Sequence, residues 1–268
     1  MSLTFDPIFY IYVKTFRMDI QIRDRLMEYW EKYFPNTELP LAFFYSTTPE
    51  VPPAKTPSGH RCIFADINKV RKGESLAFHK DNIGCWGGQK YAGYRSGMTS
   101  TFPYFLSCGI EGELEGERYK KDPELVKEMM DGFPEVKAGD KSLVFKRWDK
   151  LTENDRPEVV ICYAKPDAIS GLFMLANYDR PGNNNVISTM GSGCSQTILY
   201  PYLEKEKEEQ KAFLGMFDPS ARPFIQENLL SFATPYDRFV QMVKNMDESF
   251  LITKTWDAIS NRMKKNTT

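Results

Sequence analysis

A chain of 268 residues can bury one large core or two small ones, and its 41% apolar and 26% charged residues are those of an ordinary globular protein. A net charge of −1, with lysine and arginine scattered, offers no surface for a polyanion, so no nucleic-acid partner is expected. Aromatics at 14% exclude a disordered chain, and no run of 18 apolar residues occurs, so no membrane span is expected either.

The chain opens with a short apolar run at 7–13, preceded by Asp6 and by no basic residue. That run lacks the basic start and small-residue cleavage site of a secretory signal, and it is too short to cross a bilayer. Five cysteines, odd in number and widely spaced, suit reduced thiols, so the expected compartment is the cytoplasm. Ile22, Leu26, Tyr29, Trp30, Tyr33 and Phe34 recur at helical spacing and predict an amphipathic helix over 18–34. It belongs to an N-terminal helical adjunct of about 1–38.

Residues 41–45 suit a buried strand. Pro49, Pro52, Pro53, Pro57 and Gly59 then exclude helix and central strand, leaving a domain linker or a long binding loop at 49–59. A strand is predicted at 75–79. Asp122-Pro123 followed by Gly132 predicts a helix with an N-cap, a first-turn proline and a stop. Strands follow at 142–146 and 159–163, the second without polar alternation and hence buried on both faces. Beyond them the order is a helix at 166–177, the turn Pro181-Gly182-Asn183 and a strand at 186–189. A helix opens near Gln196, a strand runs over 212–217, and a short helical segment starts at Asp218-Pro219. A strand at 229–233, a helix from Thr234-Pro235, and a last helix marked by Trp256, Ile259 and Met263 complete the chain. Such alternation predicts an α+β or α/β fold, a single layered domain of residues 1–268 with a mixed β-sheet flanked by helices.

Two cysteines stand among glycines, in Gly84-Cys85-Trp86-Gly87-Gly88 and Gly191-Ser192-Gly193-Cys194. Glycine admits backbone N–H groups close to a thiolate or a ligand, which makes Gly84, Gly87, Gly88, Gly191 and Gly193 candidate ligand-binding positions. Cys194 follows a strand and opens a helix, where N–H groups and the helix dipole favour an anion or a thiolate. It is a candidate metal ligand or catalytic nucleophile, or else a small residue allowing close packing. Cys85, with Trp86 able to cover a pocket, divides the same way. Cys62 and Cys108 are further candidate thiolates, and Cys162, inside a buried strand, reads as core. Cys62, Cys85, Cys108 and Cys194 could together hold a zinc ion or an iron–sulfur cluster, although no pair has the C-x₂-C spacing.

His60 and His79 each lie within six residues of a cysteine and permit a Cys–His dyad, with His79 a catalytic candidate. Arg180 and Arg222 could hold an anionic ligand. Glu111, Glu113, Glu115 and Glu117 alternate and read as a solvated hairpin edge, and the charge run at 204–209 as a solvated helix end. No P-loop, dinucleotide fingerprint or nucleophile elbow is present.

Several segments together resemble one prokaryotic family, the domain of unknown function 169. They are Leu76-Ala77-Phe78 through Asn82-Ile83-Gly84-Cys85-Trp86-Gly87-Gly88, Glu115-Gly116-Glu117-Arg118-Tyr119, Leu175-Ala176-Asn177-Tyr178-Asp179-Arg180-Pro181-Gly182, Gly191-Ser192-Gly193-Cys194 and Ser220-Ala221-Arg222-Pro223. The resemblance runs from about 40 to about 260, which argues against a linker at 49–59. It implies that Cys85 and Cys194, with Cys62, belong to family motifs, while Cys108 departs from them, so three thiolates plus another ligand replace four. The family's bacterial and archaeal, often anaerobic, hosts suit iron–sulfur chemistry. Three functions follow as expectations. The first is metal or iron–sulfur binding through the glycine-framed cysteines, in redox metabolism. The second is a thiol enzyme or small-anion binder using Cys194. The third is a non-catalytic ligand-binding or interaction domain.

Overall fold

The computed structural model describes residues 18–265, so the apolar run at 7–13 lies outside the described residues. Its strands are β1 (Leu41–Ser46), β2 (Leu76–Phe78), β3 (Ser142–Arg147), β4 (Val159–Ala164), β5 (Val186–Ile187), β6 (Ala212–Gly215) and β7 (Leu230–Pro235). Its helices are α1 (Ile20–Tyr33), α2 (Phe64–Arg71), α3 (Trp86–Tyr91), α4 (Phe102–Phe105), α5 (Pro123–Asp131), α6 (Pro166–Leu175), α7 (Tyr200–Glu204), α8 (Tyr236–Lys244) and α9 (Lys254–Lys265). Among the described residues none of these helices is long and apolar enough to cross a membrane.

The strands form one sheet in the order β2-β3-β1-β4-β7-β6-β5. Only β5 and β6 pair in parallel, and every other neighbour is antiparallel, so the fold is α+β with a mixed sheet. The apolar run of β4 lies at the centre because both its faces are covered. Val160, Cys162 and Ala164 enter one hydrophobic cluster, and Val159, Ile161 and Tyr163 enter the other. This is the two-residue alternation of a pleated strand.

The first cluster is built with α1, α6, α8 and α9. Helix α1 starts where the Asp19 carboxylate accepts the N–H groups of Gln21 and Ile22, and it buries Ile22, Leu26, Trp30 and Tyr33. Each such side chain contributes roughly 2 kcal/mol by leaving water. Truncating Leu26, which is fully buried, to alanine would cost about 3 kcal/mol. In α6 a Cβ at Gly171 would lie 2.8 Å from Phe34 and closer still to Trp256, so only glycine lets α6 approach α1 and α9.

The second cluster lies under α2, α3 and α7. Helix α2 has no side-chain cap, and its short apolar pattern does not announce it in the sequence. Strand β6 ends earlier than the expected 217. Met216 takes a left-handed φ of 69° and gives its N–H to the Gln196 amide oxygen instead of to a neighbouring strand. The helical segment expected from Asp218-Pro219 is a single 3-10 turn at Arg222–Phe224. The helix expected near Gln196 begins as a π-helical stretch, Ser195–Leu199, before passing into α7.

Candidate functional site

The proline-rich segment is neither free loop nor linker in this arrangement. Ala77 donates its N–H to Pro52, and Ala54 donates to Ala77, which sews the segment to β2 at the sheet edge. Gly84 makes that possible: a Cβ there would sit 2.7 Å from Pro57 Cγ and 2.9 Å from the Arg61 nitrogen. The close approach carries Cys62 beside Cys85.

Cys85 stands at the N-cap of α3. A Cβ on Gly88 would fall 2.7 Å from its Sγ, so glycine at this position leaves room for the sulfur. The Cys62 thiol lies against the Cys85 sulfur, and the two titrate as a coupled pair. That contact is the largest influence bringing Cys85 down from 9.0 to about 6, against the opposing effect of burial. The N–H groups of Ile63 and Gly88 and the charge of His60 add to it. The N–H groups act here as dipoles, since Cys85 makes no formal cap hydrogen bond. Cys62 moves the opposite way, its thiol held protonated by that contact and by burial.

Both sulfurs line a cavity of about 950 Å³ together with Cys194, a size suited to a small organic ligand. Trp86, Tyr91, Phe102, Phe133 and Tyr119 contribute aromatic walls, and Phe105, Met190 and Phe217 stand half-exposed around them. Trp86 packs on Phe102 at 5.0 Å, and Tyr91 on Phe133 at 5.4 Å. The polar part comes from Glu117, Ser192, Gln196, Asp218 and Ser220. Gln196 joins two loops by donating to the Thr189 carbonyl and accepting from Met216. Asp218 holds the glycine-cysteine loop by accepting the Gly193 N–H at 3.0 Å.

The expected site residues therefore divide. Cys62, Cys85, Cys194, Gly87, Gly88 and Gly191 line the cavity. Gly193 packs between Phe64, Ala221 and Met216. Gly84 serves chain packing against Pro57 and not a ligand. Burial, then the Cys85 and Asp218 charges, push the Cys194 thiol well above the usual range. Burial outweighs any benefit from the helix start.

Cys108 is exposed and lies on a separate loop with Glu111, Glu113 and Glu115, so it joins no four-cysteine set. His79 faces solvent beside Asp81, and His60 is the histidine at the cavity. Arg222 points its guanidinium at the carbonyls of Leu229 and Glu227, and Arg180 points toward Gln241; neither is among the residues that line the cavity. Glu117, expected on a solvated edge, reaches the cavity; α4 turns the chain so that its N–H bonds the Phe105 carbonyl. Cys162 is core, as its strand position implies.

Among the described residues no group of three or more His, Cys, Asp or Glu side chains is placed to hold a metal ion. The five cysteines are all free.

Fold and site together define an α+β protein with a thiol-bearing, aromatic-walled cavity. The model of the DUF169 family, described as uncharacterised ArCR, matches residues 33–245, and the chain belongs to that family. No curated protein and no solved structure gives a significant match.

Proposed function

We propose that the chain binds a small organic molecule in the 950 Å³ cavity and that Cys85, as the thiolate, engages an electrophilic centre of that ligand. The observation that carries the reading is the pairing of Cys62 and Cys85 on one cavity wall, with Cys85 Sγ in the space that Gly88 leaves open. The two thiols are drawn in opposite directions, Cys62 up and Cys85 down, so the pair presents Cys85 as its nucleophilic sulfur. The apolar walls favour a ligand with a ring or branched hydrocarbon body. A reducing compartment such as the cytoplasm is part of the proposal, supported by five free thiols.

Brief treatment with iodoacetamide at pH 6.5, followed by peptide mass mapping, tests the reading. Cys85 is expected to be modified first, and Cys85→Ser to remove the fast phase. Faster modification of the exposed Cys108 would overturn it.

A metal or iron–sulfur centre, with a role in redox metabolism, is a second reading, favoured by three thiols sharing one cavity. The described side chains do not form a ligand set for such a centre, so no chemistry is derived through it. Stoichiometric iron or zinc in anaerobically purified protein, lost on Cys85→Ser, would support it over the first.

A further inference from the structure

The charge balance of the cavity narrows the class of ligand. This inference deepens the proposed function and rests on its premise that the cavity is the binding site. Two carboxylates, Asp218 and Glu117, line the same cavity as Cys85, and among the described residues no lysine or arginine lines it. Among the described residues His60 is the one lining side chain able to carry positive charge. The nearby Lys90 is already neutralised: its ammonium lies 2.7 Å from Glu135 and over the Trp86 ring.

Asp218 is only 7% exposed. It accepts hydrogen bonds from the Gly193 N–H, the Ser220 N–H and the Ser220 hydroxyl. A carboxylate has about four acceptor positions, of which three are taken, and among the described residues no cationic side chain forms an ion pair with Asp218 or with Glu117. A buried carboxylate without a counter-charge is costly. Beside it the Tyr119 hydroxyl is buried between Glu117 and Ser220. Trp86 and Phe102 supply π faces, which attract cations as well as hydrocarbon.

We propose that the cavity selects a ligand bearing a cationic nitrogen, a protonated amine or its like, on an apolar body. The nitrogen is placed toward Asp218, Glu117 and the Tyr119 hydroxyl, and the body against the aromatic wall near Cys85. An anionic ligand is rejected by the same groups.

Two methanethiosulfonate reagents of opposite charge test this, the 2-(trimethylammonio)ethyl and the 2-sulfonatoethyl compounds. With each, the Cys85 thiolate attacks the divalent sulfur, an S–S bond forms, and methanesulfinate leaves. Each rate is divided by the same reagent's rate with a free small thiol. The cation is expected to be favoured at Cys85 by about tenfold or more, as two carboxylates within a partly desolvated cavity require. Glu117→Gln and Asp218→Asn should each reduce that preference, and Glu117, being exposed, carries little folding burden. A ratio near one, or preference for the anion, overturns the inference. A second measurement needs no thiol reactivity: saturation-transfer NMR with phenethylammonium and 3-phenylpropionate. Binding of the amine but not of the carboxylate supports the inference even if Cys85 proves unreactive and the thiol reading falls. Equal binding, or no binding of the amine, overturns it even if Cys85 is reactive.

Discussion

Removing the Cys62 thiol tests the central electrostatic claim most directly. Its S–H is the main cause that draws Cys85 below the usual thiol range, and each pH unit of that displacement is a tenfold change in thiolate-to-thiol ratio. A less basic thiolate is also a poorer nucleophile. With a Brønsted coefficient of about 0.45, each unit lowers the intrinsic rate roughly threefold. Below its own pKa Cys85 therefore gains about three- to fourfold over an ordinary thiol per unit of displacement, an advantage lost as the pH approaches the ordinary thiol range.

Access to the buried sulfur scales all these rates alike, so the shape of the pH profile is the sound observable. Initial rates of Cys85 carboxamidomethylation, read by peptide mass spectrometry across pH 5 to 9.5, should rise with a midpoint clearly below the value of about 8.5 of an ordinary thiol. In Cys62→Ala the midpoint should climb by at least about one pH unit, since the largest donor is gone. Cys62→Ser keeps a donating hydroxyl and should stay near the wild-type value. A wild-type midpoint above about 8, or an unchanged profile in Cys62→Ala, refutes the reasoning.

Gly88→Ala places a Cβ 2.7 Å from Cys85 Sγ and 2.8 Å from Ile83, so the sulfur must move. The alkylation midpoint should rise while far-UV circular dichroism stays native. Gly171→Ala forces α6 away from Trp256 and Phe34 and should cost about 2 kcal/mol in urea unfolding, with the Cys85 profile unchanged. Asp179→Asn deprives Arg238, 1% exposed, of its carboxylate partner and should cost about 3 kcal/mol in the same assay. The Arg238 guanidinium holds the Asp179 carboxyl below its ordinary range. Its stabilisation is therefore complete above the unfolded carboxyl's pKa and fades as pH falls through the folded one. The wild-type melting temperature should accordingly drop more steeply below about pH 4 than that of Asp179→Asn.

The elements most legible in the sequence were those whose own residues specify them. Helix α5 carries its cap at Asp122 and its proline at Pro123, and β4 its unbroken apolar run. Helix α2 escaped because no capping side chain opens it and its burial comes from partners far along the chain. The pointer to the site, glycine beside cysteine, was legible at Cys85 and Cys194. Which thiol titrates low was not. That depends on Cys62 arriving beside Cys85, which Gly84 and the proline segment arrange, and on the burial of Cys194. The same limit explains Arg180, whose amide partner Gln241 sits on α8 far along the chain, while Arg222 turns to the nearby carbonyls of Glu227 and Leu229. Glu117 was obscured by its neighbours: like Glu111, Glu113 and Glu115 it is exposed, and the turn that ties its N–H to the Phe105 carbonyl is what brings it to the cavity lining.

Because neighbouring residues of β4 enter opposite clusters, the sheet works as a partition between mechanical support and chemistry. Gains made beyond the partition, around Leu26, Gly171 or Trp256, should add almost independently to losses incurred at the thiols, since the two sets share no partners. An engineer could therefore compensate a damaging cavity variant by reinforcing the helices behind the sheet, leaving the reactive sulfur's surroundings untouched.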